Sequence, residues 1–320
     1  MHHIIGDGWS GNVLYRELLS LYDAYLHGLP DPLKPLRIQY KDFAVWQNAR
    51  SFQRQEQYWI ARLSGMPERI PLPYDFAPEG IRDFGGGNES IELSGKVVAG
   101  LRLLALQKRT TLSNVILALF QLFLFHWTRH DDLCVGMSVA NRNHPDVENL
   151  IGFFVNILPI RCRLLADMEF DDLLRLVVER THEALEHQDY PFDLMIQKLN
   201  PARRANRQPL VNVIYAFQNF ADVHVDLVRE STDPDDALER RDVPVDLPTF
   251  DFSFATSKFD LTLFVSERPD TIHITLEYDS SLFLAVTIRK QLRAIADFAG
   301  MIADTREPVR GPGGDNRGKS

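Results

Sequence analysis

Cysteine is scarce in this chain of 320 residues, which contains only Cys134 and Cys162. The two lie far apart in the sequence, and they lack the spacing of a zinc site or of a disulfide framework. We therefore expect two buried, reduced thiols, as in a cytoplasmic protein, and no metal centre built from cysteine.

Positive charge is also in short supply, because 35 Lys and Arg face 44 Asp and Glu, giving a net charge of -9. Such a balance argues against nucleic acid or an anionic membrane as the partner, since neither attracts an acidic surface. The start of the chain lacks a cationic segment followed by an apolar one, so a secretory signal is not expected. The predicted localisation is cytoplasmic.

Long hydrophobic runs are absent apart from residues 115–127, which are almost entirely apolar. A membrane-spanning helix needs about 20 such residues, and this run has about 13. A buried central helix is therefore predicted here instead of a membrane span.

The remaining periodicities predict helices and strands that alternate without regular βαβ spacing. The fold class expected from this pattern is α+β, with mixed α/β layers. Helices are predicted at 10–27, 40–59, 97–107, 170–187 and 282–302, and strands at 91–93, 133–139, 151–164, 209–219, 258–265 and 272–278. Residues 65–88, with Gly85-Gly86-Gly87, are predicted to be a flexible connector, and the acidic residues 221–249 a surface loop or an excursion between strands.

Two histidines stand at the start of the chain, as His2 and His3. Neutral imidazole has a pKa of about 6.5, so His3 could accept a proton at neutral pH and return it. Adjacent side chains of an extended segment point to opposite faces, which predicts a structural role for His2. A histidine pair alone also fits a solvated loop, and a zinc site is disfavoured because a further spaced ligand is lacking.

Three later residues, Asp7, Gly8 and Ser10, could support the chemistry of this histidine pair. Asp7 could orient an imidazole, or it could pair with a distant arginine and pin the loop. Gly8 permits a positive φ and close approach of its N–H to a ligand, which makes it a candidate oxyanion donor. Ser10 is predicted to be the N-cap of the helix that follows.

Four ordered blocks carry a family resemblance. Residues 2–8, His-His-Ile-Ile-Gly-Asp-Gly, resemble the HHxxxDG motif that chloramphenicol-acetyltransferase-like acyltransferases share with the condensation domains of nonribosomal peptide synthetases. Residues 40–47 (YKDFAVWQ), 151–156 (IGFFVN) and 187–193 (HQDYPFD) resemble further condensation-domain blocks, in the expected order. Residues 203–210 (RRANRQPL) depart from the corresponding family block, because they lack its acidic and serine positions.

The resemblance implies a fold of two chloramphenicol-acetyltransferase-like lobes with the active site between them. It implies that residues 1–88 are the end of an N-terminal lobe that is largely missing and 89–305 the C-terminal lobe. It also makes Arg161 the candidate partner of Asp7. The Gly-, Pro- and charge-rich composition of residues 306–320 predicts a tail or linker. His187-Gln188-Asp189 could form a second acid-base group, although its place at a helix end before Pro191 favours a structural role.

The function that the resemblance implies is peptide-bond formation between acyl groups held as thioesters on phosphopantetheine. The implied partners are donor and acceptor peptidyl carrier proteins and adjacent domains such as adenylation domains, and no tightly bound cofactor is expected. His3 would act as base or as orienter of the attacking amine. Three alternatives stay open, namely an epimerisation domain, a stand-alone acyltransferase, and a noncatalytic carrier-binding module or inactive truncated remnant.

Overall fold

The computed structural model describes residues 4–78, 84–199, 209–218, 223–230, 238–245 and 256–304, with the backbone alone for the two segments between 223 and 245. The helices in this part of the chain are α1 Gly8–Leu26, α2 Tyr40–Ala49, α3 Gln53–Leu63, α4 Gly95–Gln107, α5 Leu112–Thr128, α6 Pro145–Glu148, α7 Phe170–Glu186, α8 Phe192–Leu199 and α9 Ala285–Asp304. The strands are β1 Gly86–Ser94, β2 Asp132–Val139, β3 Asn156–Arg163, β4 Val213–Gln218, β5 Val223–Glu230, β6 Leu238–Val245, β7 Leu261–Glu267 and β8 Thr271–Asp279.

Six of these strands form one mixed sheet in the order β1-β8-β7-β4-β2-β3. The pairs β2–β4 and β4–β7 are parallel, and the other neighbours are antiparallel. Strands β2 and β4 pair over a short stretch, Gly136 opposite Ile214 and Met137 opposite Tyr215. Strands β5 and β6 form a separate antiparallel ribbon. The predicted class, mixed α/β layers, is confirmed.

The core lies between the sheet and helices α4, α5, α7 and α9. Helix α5 is buried over most of its length, as predicted for residues 115–127, and packs between the sheet and its neighbouring helices. Cys134 and Cys162 are buried, unlinked thiols, and burial raises the pKa of Cys162 to about 12. Among the described helices none is by itself long and apolar enough to cross a membrane; only α4 and α5 taken together would be, with a bend of 108° between them.

Three predicted segments differ from the structure. The single helix expected over 40–59 is two helices, because residues 50–52 leave the helical conformation between α2 and α3. The expected flexible connector contains the start of β1, where Gly86 and Gly87 allow contact with Thr256 and the Tyr278 ring that a Cβ would prevent. Residues 221–249 contain β5 and β6, a separate ribbon between β4 and β7 in the chain, so a surface loop is wrong for these two segments while an excursion between strands agrees with the structure. Residues 203–208 and 306–320 lie outside the described residues.

The segment that precedes β1 is part of the main core. Trp59 and Leu63 of α3 are buried with the sheet residues, and so are Ile70 and Leu72. Asn212 fixes this segment to the sheet, since its amide accepts from the Ile70 N–H and donates to the Ile70 carbonyl, both at 3.0 Å. These residues therefore pack with the predicted C-terminal lobe, and the division of the chain into lobes stays a prediction.

Helix α1 turns its large apolar residues to solvent. Its buried residues are small or medium in size, namely Ser10, Val13, Ser20 and Ala24. The exposed ones follow helical spacing and form what we call the α1 apolar face: Leu14, Leu18, Tyr22, Tyr25 and Leu26, each 47–67% exposed. The sequence predicted an amphipathic helix here, and these five side chains stay largely exposed although the backbone of β5 lies beside α1. Contiguous exposed apolar surface is typical of an interaction site.

We expect this face to bind the dye ANS and to promote association of the isolated chain. The double substitution Leu18→Lys and Tyr22→Lys should lower ANS fluorescence and shift light scattering toward monomer, because charge interrupts the apolar face. Leu106→Lys, at an equally exposed position on α4 (75%), is the matched control and should change neither signal. A wild-type chain that is monomeric and silent with ANS would contradict the prediction.

Candidate active site

The first helix begins directly at the histidine-containing block. Asp7 is the N-cap of α1, and its Oδ1 accepts a hydrogen bond from the backbone N–H of Ser10 at 2.8 Å. The predicted N-cap, Ser10, lies in the first turn of the helix instead. Both residues have good capping side chains, and Asp7 takes the position because its carboxylate can reach the N–H three residues ahead.

A buried ion pair connects Asp7 to a distant loop. The Nη2 of Arg142 lies 3.1 Å from Asp7 Oδ1, with side chains 1% and 3% exposed respectively. The Nη1 of the same guanidinium donates to the carbonyls of Val147 (2.6 Å) and Leu150 (2.7 Å), and its plane lies over the Phe154 ring at 4.1 Å. Arg142 therefore satisfies Asp7 and folds the loop between β2 and β3 around itself.

The other carboxylate oxygen of Asp7 contacts the third sequence block. Asp7 Oδ2 accepts from the backbone N–H groups of Phe154 (3.0 Å) and Val155 (3.3 Å). Burial opposes ionisation of Asp7, but hydrogen bonds from Ser10 and Phe154 and the charge of Arg142 outweigh it, so the pKa of Asp7 lies below its ordinary value. The carboxylate is thus held ionised in a buried position.

The Ser10 hydroxyl lies at the centre of this network. Its Oγ accepts from Arg142 Nη2 (2.9 Å) and from the Gly152 N–H (3.0 Å). It lies 2.8 Å from both Asp7 Oδ1 and the Gly152 carbonyl oxygen, and its single proton serves one of them at a time. Ser10 was missed as a site residue, since a serine after a cap offers no pattern that distinguishes it.

The second block packs against the third. The Tyr40 hydroxyl donates to the Phe153 carbonyl at 2.8 Å, and the rings of Tyr40 and Phe43 pack on Phe154 with centroids 5.0 and 4.7 Å away. Gly152 makes this approach possible, because a Cβ there would lie 2.2 Å from the Tyr40 ring. Residues 40–43 therefore fix the loop that holds Asp7.

The fourth block is joined to the third through Asn156. Its side-chain amide donates to the carbonyls of Gln188 and Tyr190, both at 2.8 Å, and its Oδ1 accepts from the Phe192 N–H at 3.0 Å. His187 ends α7 and stacks on the Tyr58 ring at 4.0 Å. Burial lowers the pKa of this histidine. These contacts fix the end of α7, and the structural role that the position of His187 favours stays a prediction.

Arg161 is not the partner of Asp7, and the prediction that paired them is wrong. Its guanidinium forms two hydrogen bonds to Asp132, at 2.8 and 2.7 Å, and also donates to the carbonyls of Ser64 and Gly65. Asp7 contacts Phe154 and Val155, just before β3 begins. Arg161 lies five residues along that strand, which at 3.3 Å per residue is roughly 17 Å away. The partner is Arg142, in the loop between β2 and β3, which no motif marks in the sequence.

The conformation predicted for Gly8 also differs. Gly8 is the first residue of α1, and the described glycines with positive φ are Gly28, Gly65 and Gly95. Its N–H belongs to the first turn, where backbone donors have no acceptor within the helix. The proposed oxyanion donation therefore rests on the helix start and not on a left-handed conformation.

His2 and His3 lie outside the described residues, so their predicted roles stay predictions. The described residues contain no group of three or more His, Cys, Asp or Glu side chains that could hold a metal ion. What the structure does show is the position of Asp7, four residues after His3, at the point where the four sequence blocks meet.

Comparison with known proteins identifies similar sequences in one family and in large synthetases. A family model of the condensation domain matches residues 1–310. The chain is 36% identical over 313 residues to malpinin synthetase of Mortierella alpina, covering 96% of this chain and 4% of that protein. It is also 34% identical over 311 residues to a chondramide synthase of Chondromyces crocatus, covering 95% of this chain and 8% of that protein.

Solved structures share the fold. The X-domain from teicoplanin biosynthesis is similar to this chain with a TM-score of 0.78 at 23% identity, covering 96% of this chain and 68% of that one. This similarity agrees with the predicted chloramphenicol-acetyltransferase-like architecture. The chain spans only a small part, 4% and 8%, of the length of the two synthetases.

Proposed function

This chain belongs to the condensation-domain family, and from that premise we propose that it forms an amide bond between two acyl groups that carrier proteins hold as thioesters. The observation that supports this most directly is the convergence of the four sequence blocks on Asp7. Residues 40–43 and 152–155 pack around the loop that carries it, and Asn156 joins residues 188–192 to the same place. A site assembled from four distant segments holds its loop in one position, as positioning catalysis requires.

In the proposed reaction the α-amine of the acceptor attacks the carbonyl carbon of the donor thioester. The C–N bond forms, the C–S bond breaks, and the donor phosphopantetheine leaves as a thiolate, which takes up the proton that the amine loses. An α-amine has a pKa of about 8 and is partly protonated at neutral pH, so a nearby imidazole can deprotonate or orient it. We assign this role to His3 and a structural role to His2.

The described residues give the other roles a physical basis. Asp7 is proposed as a positioning residue, because its carboxylate is fully engaged by Ser10, Arg142 and the Phe154 segment and is not directed at a substrate. The Gly8 N–H, at the start of a 19-residue helix, is proposed to donate to the oxygen that becomes negative when the amine adds. No tightly bound cofactor is proposed; the phosphopantetheine arms belong to the carrier proteins.

The test is intact-mass detection of acyl transfer between a donor-loaded and an acceptor-loaded carrier protein. We expect His3→Ala to lower the rate at least about 100-fold, the lower end for removal of a general base. His182→Ala is the matched control, because His182 is 76% exposed on α7 and pairs only with Glu186 among the described residues. It should leave the rate unchanged.

The alternatives predict other outcomes in the same assay. A noncatalytic carrier-binding module would bind loaded carrier equally well with and without His3 and would give no product. An epimerisation domain would invert the α-carbon of a single loaded carrier without transfer. Either result would replace the proposal of condensation.

A further inference from the structure

A cleft lined by arginines lies away from the Asp7 site. It has a volume of about 450 Å³ and is lined by Arg62, Ser64, Arg161, Arg163, Leu176 and Arg180, which we call the arginine cleft. The residues that line it include four guanidinium groups and no carboxylate. This is unexpected on a chain whose net charge is -9.

Three elements build the cleft, and each contributes two residues. Arg161 and Arg163 are two positions apart on β3, so they project from the same face of this edge strand. Leu176 and Arg180 are four positions apart on α7 and share one side of that helix. The end of α3 and the residue after it supply Arg62 and Ser64. The sequence spacing therefore concentrates these groups at one place.

Each of these arginines is paired with a carboxylate that is not among the residues lining the cleft. Asp132 accepts from Arg161 at 2.7 Å and from Arg163 at 3.0 Å. Glu183 accepts from Arg62 and from Arg180. Both acids hold guanidinium groups at the wall of the cleft without lining it. An arginine has five N–H donors in a planar fork, and those of Arg161 are all bound, to Asp132 and to the carbonyls of Arg62, Ser64 and Gly65. Arg62, Arg163 and Arg180 use only some of their donors in these ion pairs, so each can still donate to a ligand.

The cleft is separate from the site around Asp7. Strand β3 begins at Asn156, which belongs to that site, and ends at Arg163, which lines the cleft. Seven residues of strand at 3.3 Å each place the two about 23 Å apart. The proposed condensation chemistry therefore gives no reason for four arginines at this end of the sheet.

We propose that the arginine cleft binds a small ligand that carries a diphosphate group. Phosphate oxygens accept paired hydrogen bonds from a guanidinium fork, and one phosphate can satisfy about two such forks. The three guanidinium groups with unused donors, those of Arg62, Arg163 and Arg180, exceed what one phosphate takes and match two linked phosphates better. The volume is in the range of small-molecule sites, about 300–1,000 Å³, and Leu176 adds an apolar contact for whatever group the diphosphate carries.

The experiment is isothermal titration calorimetry of the full chain with inorganic pyrophosphate, at constant ionic strength and without divalent metal. We expect saturable one-to-one binding, weakened about 10- to 100-fold by Arg163→Ala, since a hydrogen bond to a charged group is lost. Arg163 is 67% exposed, and Asp132 keeps Arg161 as its partner, so the variant should fold normally. Its thermal melting curve checks this.

Arg175→Ala is the matched control, because Arg175 lies on α7 outside the cleft, is 77% exposed and pairs with Asp172. It should bind pyrophosphate within about twofold of wild type, as expected for a surface charge screened by salt. Equal weakening by Arg163→Ala and Arg175→Ala, or an absence of saturable binding by the wild type, would overturn the proposal. A parallel titration with ADP tells whether a free diphosphate or a nucleotide is the better ligand.

Discussion

Replacing Arg142 by alanine is expected to lower the free energy of unfolding by about 3–5 kcal/mol, the range for breaking a buried ion pair at one partner. The substitution leaves the Asp7 carboxylate buried without its counter-charge. It also leaves the carbonyls of Val147 and Leu150 without their donor. We therefore expect the loop with the IGFFVN block to lose its fixed conformation, and the start of α1 to do so with it.

Urea unfolding followed by circular dichroism measures this loss. Arg37→Ala is the matched control, because Arg37 pairs with Asp146 of the same loop but is 81% exposed. An exposed pair contributes about 0–1 kcal/mol, so the control should unfold almost as wild type does. If the two variants were equally stable, the ion pair between Asp7 and Arg142 would not have the importance that its burial indicates.

The same ion pair predicts how stability changes with pH. The pKa of Asp7 is lower in the folded chain than in the unfolded one, because its hydrogen bonds and Arg142 outweigh its burial. Its contribution is therefore present above the unfolded pKa of about 3.9 and is lost as pH falls through the folded pKa. Asp7→Asn should reduce the loss of stability below about pH 4.

Gly152→Ala is the second substitution for which we expect a large effect. The added Cβ would lie 2.2 Å from Cδ2 of the Tyr40 ring, and Tyr40 is held by its hydrogen bond to Phe153 and by its contact with Phe154. Overpacking a fixed site costs about 1–3 kcal/mol, and a contact this short should fall at the upper end. Acyl transfer in the proposed assay should fall as well, because Gly152 contacts Ser10.

Two further variants separate the clash from a general effect of removing a glycine. Gly11→Ala, in α1, meets nothing within 4 Å and should stabilise the helix by about 0.5–1 kcal/mol. In a Tyr40→Leu background the ring is absent, so Gly152→Ala should cost much less than it does in wild type. An unchanged cost in that background would assign the effect of Gly152→Ala to the backbone.

Periodicity predicted the parts of the fold that depend on burial along one element. Helix α5 was predicted as a central helix because its apolar run is continuous, and β2, β7 and β8 were predicted from β-rich segments. The class and the family followed from this pattern and from four motif blocks. Strands β5 and β6 were missed, because the segment 221–249 as a whole is acidic and interrupted by proline, which obscures the short alternation of Val223, Val225 and Leu227.

The site was predicted only where a motif marked it. Asp7 was identified as a residue that pairs with an arginine, but the sequence does not show which arginine is near. Arg142 lies in a polar loop without periodicity, where the sequence does not distinguish a buried charged residue from a solvent-exposed one. Helix α1 shows a related limit, since an amphipathic pattern predicts an apolar face without telling whether this chain covers it.

Strand β1 has a consequence for the synthesis of the protein. It pairs along its whole length with β8, from Gly86 opposite Asp279 to Ser94 opposite Thr271. A ribosome that adds about 5–20 residues per second makes β8 roughly 9–35 s after β1, because nearly the whole sheet is encoded between them. During that time β1 has no strand partner in the sheet, so its hydrogen-bonding groups stay available to other nascent chains until the last strand emerges.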